Sequence, residues 1–439
     1  MRAVSSRRIL CLLPYVPDPV RVRPYNLVRA LAARGNELTV AAPWETEAER
    51  AWLDRLAELG VRPITGRLSR RREVGNLLAA MTSRAPLQSA FCWLPELATA
   101  VRETLSVDRY DVVHVEHLRG SRYGLLASAA RRPGGGTVPV VWDSVDCISL
   151  LFDRAASAAR GWRPRLVARM ELPRTRAYEA SLLRSFAHTV VVAAQDRESL
   201  LALPPPTSSR HGRSSGAAPV SIRDRAALAG RLHVVPNGVD LEHFRPASGG
   251  AVPGAVPTLV ALGKMSYHAN VAMVLQLVER IMPHVWRRRP DAAVWIVGKD
   301  PPAAVRRLAT WRPEGSPGAQ RGAPSRAVAV TGTVRDAVVY LQEAWVSAAP
   351  ITYGVGIQNK VLEAMACAVP VVASPAAVSA LEVEAGRDCL VASEPEAFAR
   401  ALLELLEDPA RRRAVGRCGH DYVRRHHAWG AIASRLESV

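Results

Sequence analysis

Lysine is almost missing from this 439-residue chain. Only Lys264, Lys299 and Lys360 occur, and the other 55 of its 58 basic residues are arginine. A lysine is therefore a minority choice here, and its compact ammonium suits a phosphate in a way that arginine does not simply replace. Aromatic residues make up only 5%. Nucleic-acid binding normally brings basic clusters interleaved with aromatics, or a recognisable module. Neither is present, so nucleic acid is not expected as a partner despite a net charge of +18. The six cysteines (Cys11, Cys92, Cys147, Cys367, Cys389, Cys418) form no C-x-x-C pair. They read as reduced packing residues, which excludes a disulfide frame and a cysteine zinc site. No run reaches the ~18 apolar residues of a membrane helix. The apolar run Ile9–Leu13 stops at Pro14, too short for a signal-peptide core. It reads as a first buried strand, and a cytoplasmic location is expected. No G-x-G-x-x-G follows a strand and no P-loop occurs, which argues against a dehydrogenase fingerprint and a P-loop nucleotidase.

What is present is a hydrophobic content of 49%, enough for real cores in two to three domains. Short valine-rich runs alternate with amphipathic stretches such as Tyr25–Arg34 and Glu47–Leu59. The runs are ILCLL, ELTVAA, DVVHV, PVVWD and TVVVAA, then TLVALG, AVWIVG, AVAVTG, VSAAP and PVVAS. Continuous apolar strands between helices predict parallel sheets covered on both faces. The expected class is α/β, with two Rossmann-like domains facing each other across a cleft, because open sheets bind ligands beyond their strand C-termini. Residues 1–203 read as the first domain and 204–231 as a Pro/Ser/Arg-rich linker or insertion. Residues 232–415 read as the second domain, opening at LHVVPNGVD, and 416–439 as a C-terminal helix. A second loose loop is expected at Trp311–Arg326. Arginine runs at Arg70–Arg72, Arg287–Arg289 and Arg411–Arg413 fit either a solvated surface or contact with an anionic membrane.

The most informative stretch is PITYGVGIQNKVLEAMACAVPVVAS, Pro350–Ser374. It reads as turn, helix over Ile357–Cys367, turn, and strand Val371–Ala373. Gly354 and Gly356 open a loop that feeds a helix N-terminus, where free N–H groups and the dipole attract an anion. Lys360 sits one turn in, and Glu363 follows at i+3 on roughly the same face, placed to accept ribose hydroxyls. The alternative is an exposed Lys–Glu helix face.

LEAMACAVPVVAS resembles the signature of retaining GT-B glycosyltransferases of family 4, group 1 type. The longer GIQNKVLEAMA is similar to a subgroup associated with exopolysaccharide export (PEP-CTERM/EpsH) systems. Two departures stand out. Val355 occupies the place of the family's first glutamate, eight residues before Glu363. The usual glycine ahead of Pro370 is read at Val369, preceded by Ala368. The nucleotide-binding glutamate is kept and the sugar-facing one is missing.

The resemblance implies a nucleotide-diphosphate-sugar co-substrate and no other cofactor. Its binding side is expected at Lys264, Gly332, Val334, Gly354, Gly356, Ile357, Gln358, Asn359, Lys360 and Glu363, with N–H groups of Ile357 and Gln358 on the diphosphate. Where the family carries a second lysine after Lys264, this chain has His268 and Asn270. Asp336 reads by default as a helix cap. The absence of D-x-D makes a metal-bridged site unlikely, and no metal is expected. On the other side, DVVHVEHLRG runs from a strand into Glu116 and His117, the expected catalytic pair that orients the sugar or takes a proton. Arg23 is expected on an acceptor or donor phosphate, and Asp143 or Asp146 on an acceptor hydroxyl or as a cap. The final helix is expected to cross back to the first domain. The implied reaction is transfer of a sugar to a glycan or lipid-linked acceptor, in exopolysaccharide or cell-surface glycan synthesis. A GT-B nucleotide-sugar epimerase and a catalytically inactive sugar-nucleotide-binding scaffold remain the alternatives.

Overall fold

The structure is a computed structural model that describes residues 6–83, 85–132, 134–158, 162–204, 222–247, 255–310, 328–353 and 356–439. Most of the expected linker and the loop expected at Trp311–Arg326 lie outside these residues. Two compact units divide the chain, Met1–Pro236 with Ile432–Val439, and Asn237–Ala431.

The first unit is built on β1 (Arg8–Leu12), β2 (Glu37–Trp44), β3 (Arg62–Arg67), β4 (Val112–Glu116), β5 (Val140–Val145), β6 (His188–Val191) and β7 (Leu232–Val234). All pair in parallel, in the order β3-β2-β1-β4-β5-β6-β7. Successive side chains of a strand point to opposite faces, and β1 shows it. Leu10 and Leu12 enter one core with Trp142, Tyr123 and Phe186. Ile9, Cys11 and Leu13 enter the other, which also holds Ala433 from the end of the chain. The edge strand β3 carries Arg62, Pro63 and Arg67 and is largely exposed, as suits a protected sheet edge. Near the C-terminus, Glu437 accepts from Arg34 Nε at 2.8 Å and Asn36 Nδ2 at 2.7 Å, which fastens the last residues to this unit. One expectation is corrected here. Leu232–Val234 pairs with β6 and completes the first sheet, whereas the sequence reading opened the second domain with it.

The second unit is built on β8 (Thr258–Leu262), β9 (Ala293–Val297), β10 (Val328–Gly332), β11 (Val346–Ala349), β12 (Val371–Ala373) and β13 (Leu390–Val391). They form one parallel sheet in the order β10-β9-β8-β11-β12-β13. β8, β11 and β12 are buried along their whole length, which is why they read as unbroken apolar runs. In each sheet the strand order reverses beside the first strand, at β1/β4 and at β8/β11. Ligands of open α/β sheets bind beyond the strand ends at such points.

The five cysteines Cys11, Cys92, Cys147, Cys367 and Cys389 are buried, and Cys418 is partly exposed.

The helix Asn359–Ala366 ends in a Schellman turn. Val369 N–H donates to the Ala364 carbonyl at 3.0 Å and Ala368 N–H to the Met365 carbonyl at 2.9 Å. Such a turn places its C′ residue in the left-handed region, and Ala368 is there, at φ 57°. The position that wants glycine is therefore Ala368 and not Val369, because the two hydrogen bonds fix which residue must turn. A left-handed alanine carries a steric penalty that glycine lacks. Ala368→Gly should raise stability by about 0.5–1 kcal/mol, read as a higher urea midpoint with unchanged slope; a lower midpoint would contradict the turn described.

Candidate functional site

Within the second unit the C-terminal edge of the sheet gathers the charged residues. Lys264 follows β8 and is exposed, Lys299 follows β9, Gly332 ends β10, and the segment Gly356–Lys360 follows β11. Gly298 makes the first of these turns possible, since a Cβ there would run into the Gly263 carbonyl oxygen. The Lys299 carbonyl then accepts from Met265 N–H at 2.9 Å, holding the Lys264 loop against the end of β9.

Asn270 joins the two sides of the switch point. Its Nδ2 donates to the Lys264 carbonyl at 2.9 Å, and its Oδ1 accepts from Lys360 Nζ at 2.8 Å. Lys360 also donates to Gln358 Oε1 at 3.1 Å. A second tie links the same loops: His268 Nδ1 and Tyr353 Oη are 3.0 Å apart, with their rings stacked at 5.4 Å. The Lys360 ammonium thus rests on neutral oxygens. Burial pushes it down to about 8, against the pull of Glu363. Burial likewise pushes Glu363 up to about 7, with Lys360 opposing. Each charged form is short of solvation, the state in which a polar ligand is most welcome.

The other expected donor-side residues fall as follows. Gly356 is left-handed at φ 66° and Gln358 is extended, so the helix starts at Asn359 and not at Ile357. The Ile357 and Gln358 N–H groups stand ahead of the first helical turn, and the Ile357 side chain is buried. Asn359 Oδ1 accepts from Asn237 Nδ2 at 3.4 Å. Gly332 has φ 70° and open space where a Cβ would lie, and Val334 is half-buried. Asp336 Oδ1 accepts from Val338 N–H at 2.9 Å, the capping contact. Gly354 and the departure Val355 lie outside the described residues. Sequence reasoning passed over Lys299 and the bridging role of Asn270. The scarcity of lysine was the signal for the first; nothing local signals the second.

In the first unit, the switch point holds Tyr15 from the loop after β1 and Glu116 and His117 from the end of β4. Tyr15 Oη donates to Glu116 Oε1 at 2.9 Å. Glu116 is 2% exposed, and its Oε2 has no hydrogen-bond partner among the described residues. Burial, reinforced by the Asp143 charge, pushes its carboxyl up to about 8. His117 has φ 59°, a strained value for a residue with a side chain. Burial and the nearby Arg119 and Arg21 push it down to about 3, and its Nδ1 accepts from Arg119 N–H at 3.3 Å. At neutral pH Glu116 therefore keeps its proton and His117 is an uncharged imidazole with the proton on Nε2. Both are hydrogen-bond donors, which differs from the proton-taking role expected for one of them.

Arg23 and Asp143 were expected to contact ligands separately. They pair with each other: Arg23 Nε and Nη2 reach Asp143 Oδ2 at 2.8 and 2.7 Å, with both side chains buried. Arg23 Nη1 donates to the Pro236 carbonyl at 3.2 Å. His114 Nε2 stands 3.8 Å from the same carboxylate oxygen, and burial lowers its pKa. Asp143 Oδ1 accepts from Val145 N–H at 3.2 Å, closing a turn in which Val145 is itself left-handed at φ 63°. Burial, with Asp196 adding to it, pushes Asp146 up to about 7.

Two family models match the chain, one on each unit. Residues 20–211 match "Glycosyl transferase 4-like domain" and residues 256–408 match "Glycosyl transferases group 1". The solved sucrose-phosphate synthase from Thermosynechococcus elongatus superposes with a TM-score of 0.62 at 17% identity, covering 98% of each chain. Anabaena HepE in complex with UDP and glucose also gives 0.62, at 14% identity and 98% of each chain. Fold and matches define the class: the chain carries the two domains of a GT-B glycosyltransferase. Among curated proteins it is similar to the GDP-mannose-dependent monoacylated alpha-(1-6)-phosphatidylinositol monomannoside mannosyltransferase of Corynebacterium glutamicum. The identity is 30% over 223 residues, 47% of this chain and 55% of that protein. The matched segment thus spans about half the length of that relative.

The buried carboxyl of Glu116 makes a pH prediction. The unfolded chain releases this proton near 4.5 and the folded one near 8, so the folded state holds the extra proton between those values. Wild-type stability should fall relative to Glu116→Gln as pH rises through that window, by about 2–4 kcal/mol, and then level off. Chemical denaturation of both proteins on either side of the window checks it. A gap that does not change with pH would show that Glu116 is ionised throughout.

Proposed function

We propose that this chain transfers a sugar from a nucleoside-diphosphate-sugar to a hydroxyl of a glycan or lipid-linked acceptor, with retention at the anomeric carbon. The observation that carries this reading is the convergence of all three lysines, with Glu363, on one sheet edge. Charge develops on the leaving diphosphate, and preorganised cations aimed at it give the largest electrostatic benefit. Lys264 and Lys360 supply that charge, with Lys299 beside them, so the reading needs no metal ion. Glu363 holds the ribose, and the open backbone at Gly332 and Val334 receives the base. The acceptor oxygen bonds to the anomeric carbon while the bond to the diphosphate oxygen breaks and its electron pair leaves with the nucleotide. Glu116 and His117 are not free bases at neutral pH, so the departing diphosphate takes the acceptor proton, and these two residues orient the sugar.

UDP in the HepE complexes and the GDP-mannose named for the Corynebacterium relative support a nucleotide-sugar donor. The resemblance to exopolysaccharide enzymes supports a role in exopolysaccharide or cell-surface glycan synthesis. No helix among the described residues is long and apolar enough to cross a membrane. We place the enzyme in the cytoplasm, peripheral to the inner face of an anionic membrane.

Titration of UDP, GDP, ADP and dTDP tests the donor half of this reading. One nucleotide should bind in the micromolar range, and Lys360→Ala and Glu363→Ala should each weaken it by at least ~1 kcal/mol. Affinity should fall above pH about 8 as Lys360 loses its proton, and below about 7 as Glu363 gains one. Lys360→Ala should flatten the alkaline limb only. If no nucleotide binds, or both variants bind like the wild type, the donor site lies elsewhere.

A further inference from the structure

The helix Arg70–Met81 packs only lightly on its own unit. Ala80 is its one fully buried residue, and Val74, Leu78 and Met81 are 56%, 61% and 61% exposed. Their spacing of four and three residues places them on one face. Such a stripe on the solvent side of a helix is unusual unless something covers it. Its first turn is the cationic sequence Arg70-Arg71-Arg72, all three exposed. Cations at a helix N-terminus oppose the dipole, so their presence calls for an anion from outside. Arg72 approaches Glu96 at 3.7 Å. Among the described residues Arg70 and Arg71 have no ion-pair partner.

A second stripe adjoins the first. In the helix Trp162–Ser185, Leu166, Val167 and Met170 are each half or more exposed, with exposed Arg169 among them. One turn beyond Met170, Arg174 Nη2 donates to the Met81 carbonyl at 3.1 Å, and its Nη1 donates to Glu171. Glu171 in turn accepts from Leu87 N–H at 2.8 Å. These bonds bring the ends of both stripes to one junction. The result is a surface of six aliphatic or thioether side chains bordered by arginines.

We propose that this surface docks on an anionic phospholipid bilayer, the six apolar side chains entering the acyl boundary and the arginines meeting lipid phosphates. Charge selects that occupant. A symmetric second copy would set the arginines against their equivalents, and the patch lacks the aromatic anchors typical of protein interfaces. A nucleic acid would engage the arginines but leave the apolar stripes wet. Interfacial helices combine these two elements, buried apolar area and attraction to anionic lipid. The inference rests on the peripheral placement proposed above, but not on the transfer reaction, since vesicle binding needs neither nucleotide nor acceptor.

Co-sedimentation with vesicles of phosphatidylcholine, alone and mixed with phosphatidylglycerol, tests it. The wild type should bind the mixed vesicles, more weakly as salt is raised, and the neutral ones poorly. Leu78→Asp with Met170→Asp, and separately Arg70→Glu with Arg71→Glu, should each reduce binding at least about tenfold. The control Arg424→Glu with Arg425→Glu, exposed arginines elsewhere, should bind like the wild type. Circular dichroism and nucleotide titration establish that each variant is folded. Wild type that ignores the mixed vesicles, or patch variants that bind as it does, would overturn the proposal. So would a dimer, seen by sedimentation, that Leu78→Asp with Met170→Asp disperses.

Discussion

The arrangement of the second unit's sheet edge depends on one carboxamide. Asn270 uses its amide nitrogen on the Lys264 carbonyl and its oxygen on the Lys360 ammonium. A partly buried cation must be held by oxygens, and these are neutral. An aspartate in the same place would satisfy Lys360 completely and leave no unmet charge for a ligand. The amide orients the ammonium without neutralising it. It also ties the loop after β8 to the helix after β11, so that the two walls of the switch point are set by a single side chain.

The first unit solves a related problem differently. Its buried Arg23–Asp143 pair is closed on itself, with a backbone carbonyl and a backbone N–H completing the set. Removing either partner would strand a buried charge, which is expensive. The neighbouring Glu116 feels this as a fixed negative neighbour and stays protonated. Order at the end of β4 and β5 is thus paid for in left-handed backbone at His117 and Val145, a pattern associated with sites whose geometry the surroundings impose.

Much of this was legible in the chain. The two-sheet α/β class and ten of the strands follow from valine-rich runs, because a strand buried on both faces has no polar positions to disguise it. β3 was missed because an edge strand is allowed arginine, proline and glycine. β7 was read as the start of the next domain because its three residues adjoin a Pro-Asn-Gly turn. The helix after β11 begins two residues later than its apolar pattern, since Gly356 and Gln358 hold non-helical conformations that periodicity does not report. Lys264 and Lys360 were found by composition and motif. The Arg23–Asp143 pair, the protonated Glu116 and the Asn270 bridge were not, because each depends on partners brought together by the fold from 90 to 120 residues away.

The scarcity of lysine has a consequence for how the molecule meets chemistry. All three side-chain amines stand at one sheet edge, and one of them, Lys360, loses its proton near 8, where ordinary lysines are fully charged. Acylating reagents react with the free amine, so they find few targets on this protein, and Lys360 is the most nucleophilic of those resolved. Enzymatic acetylation would strike the same place. The surface, being arginine throughout, stays silent to both. Amine modification is therefore confined to the proposed nucleotide site, and covalent labelling kinetics become a direct gauge of whether that site is filled.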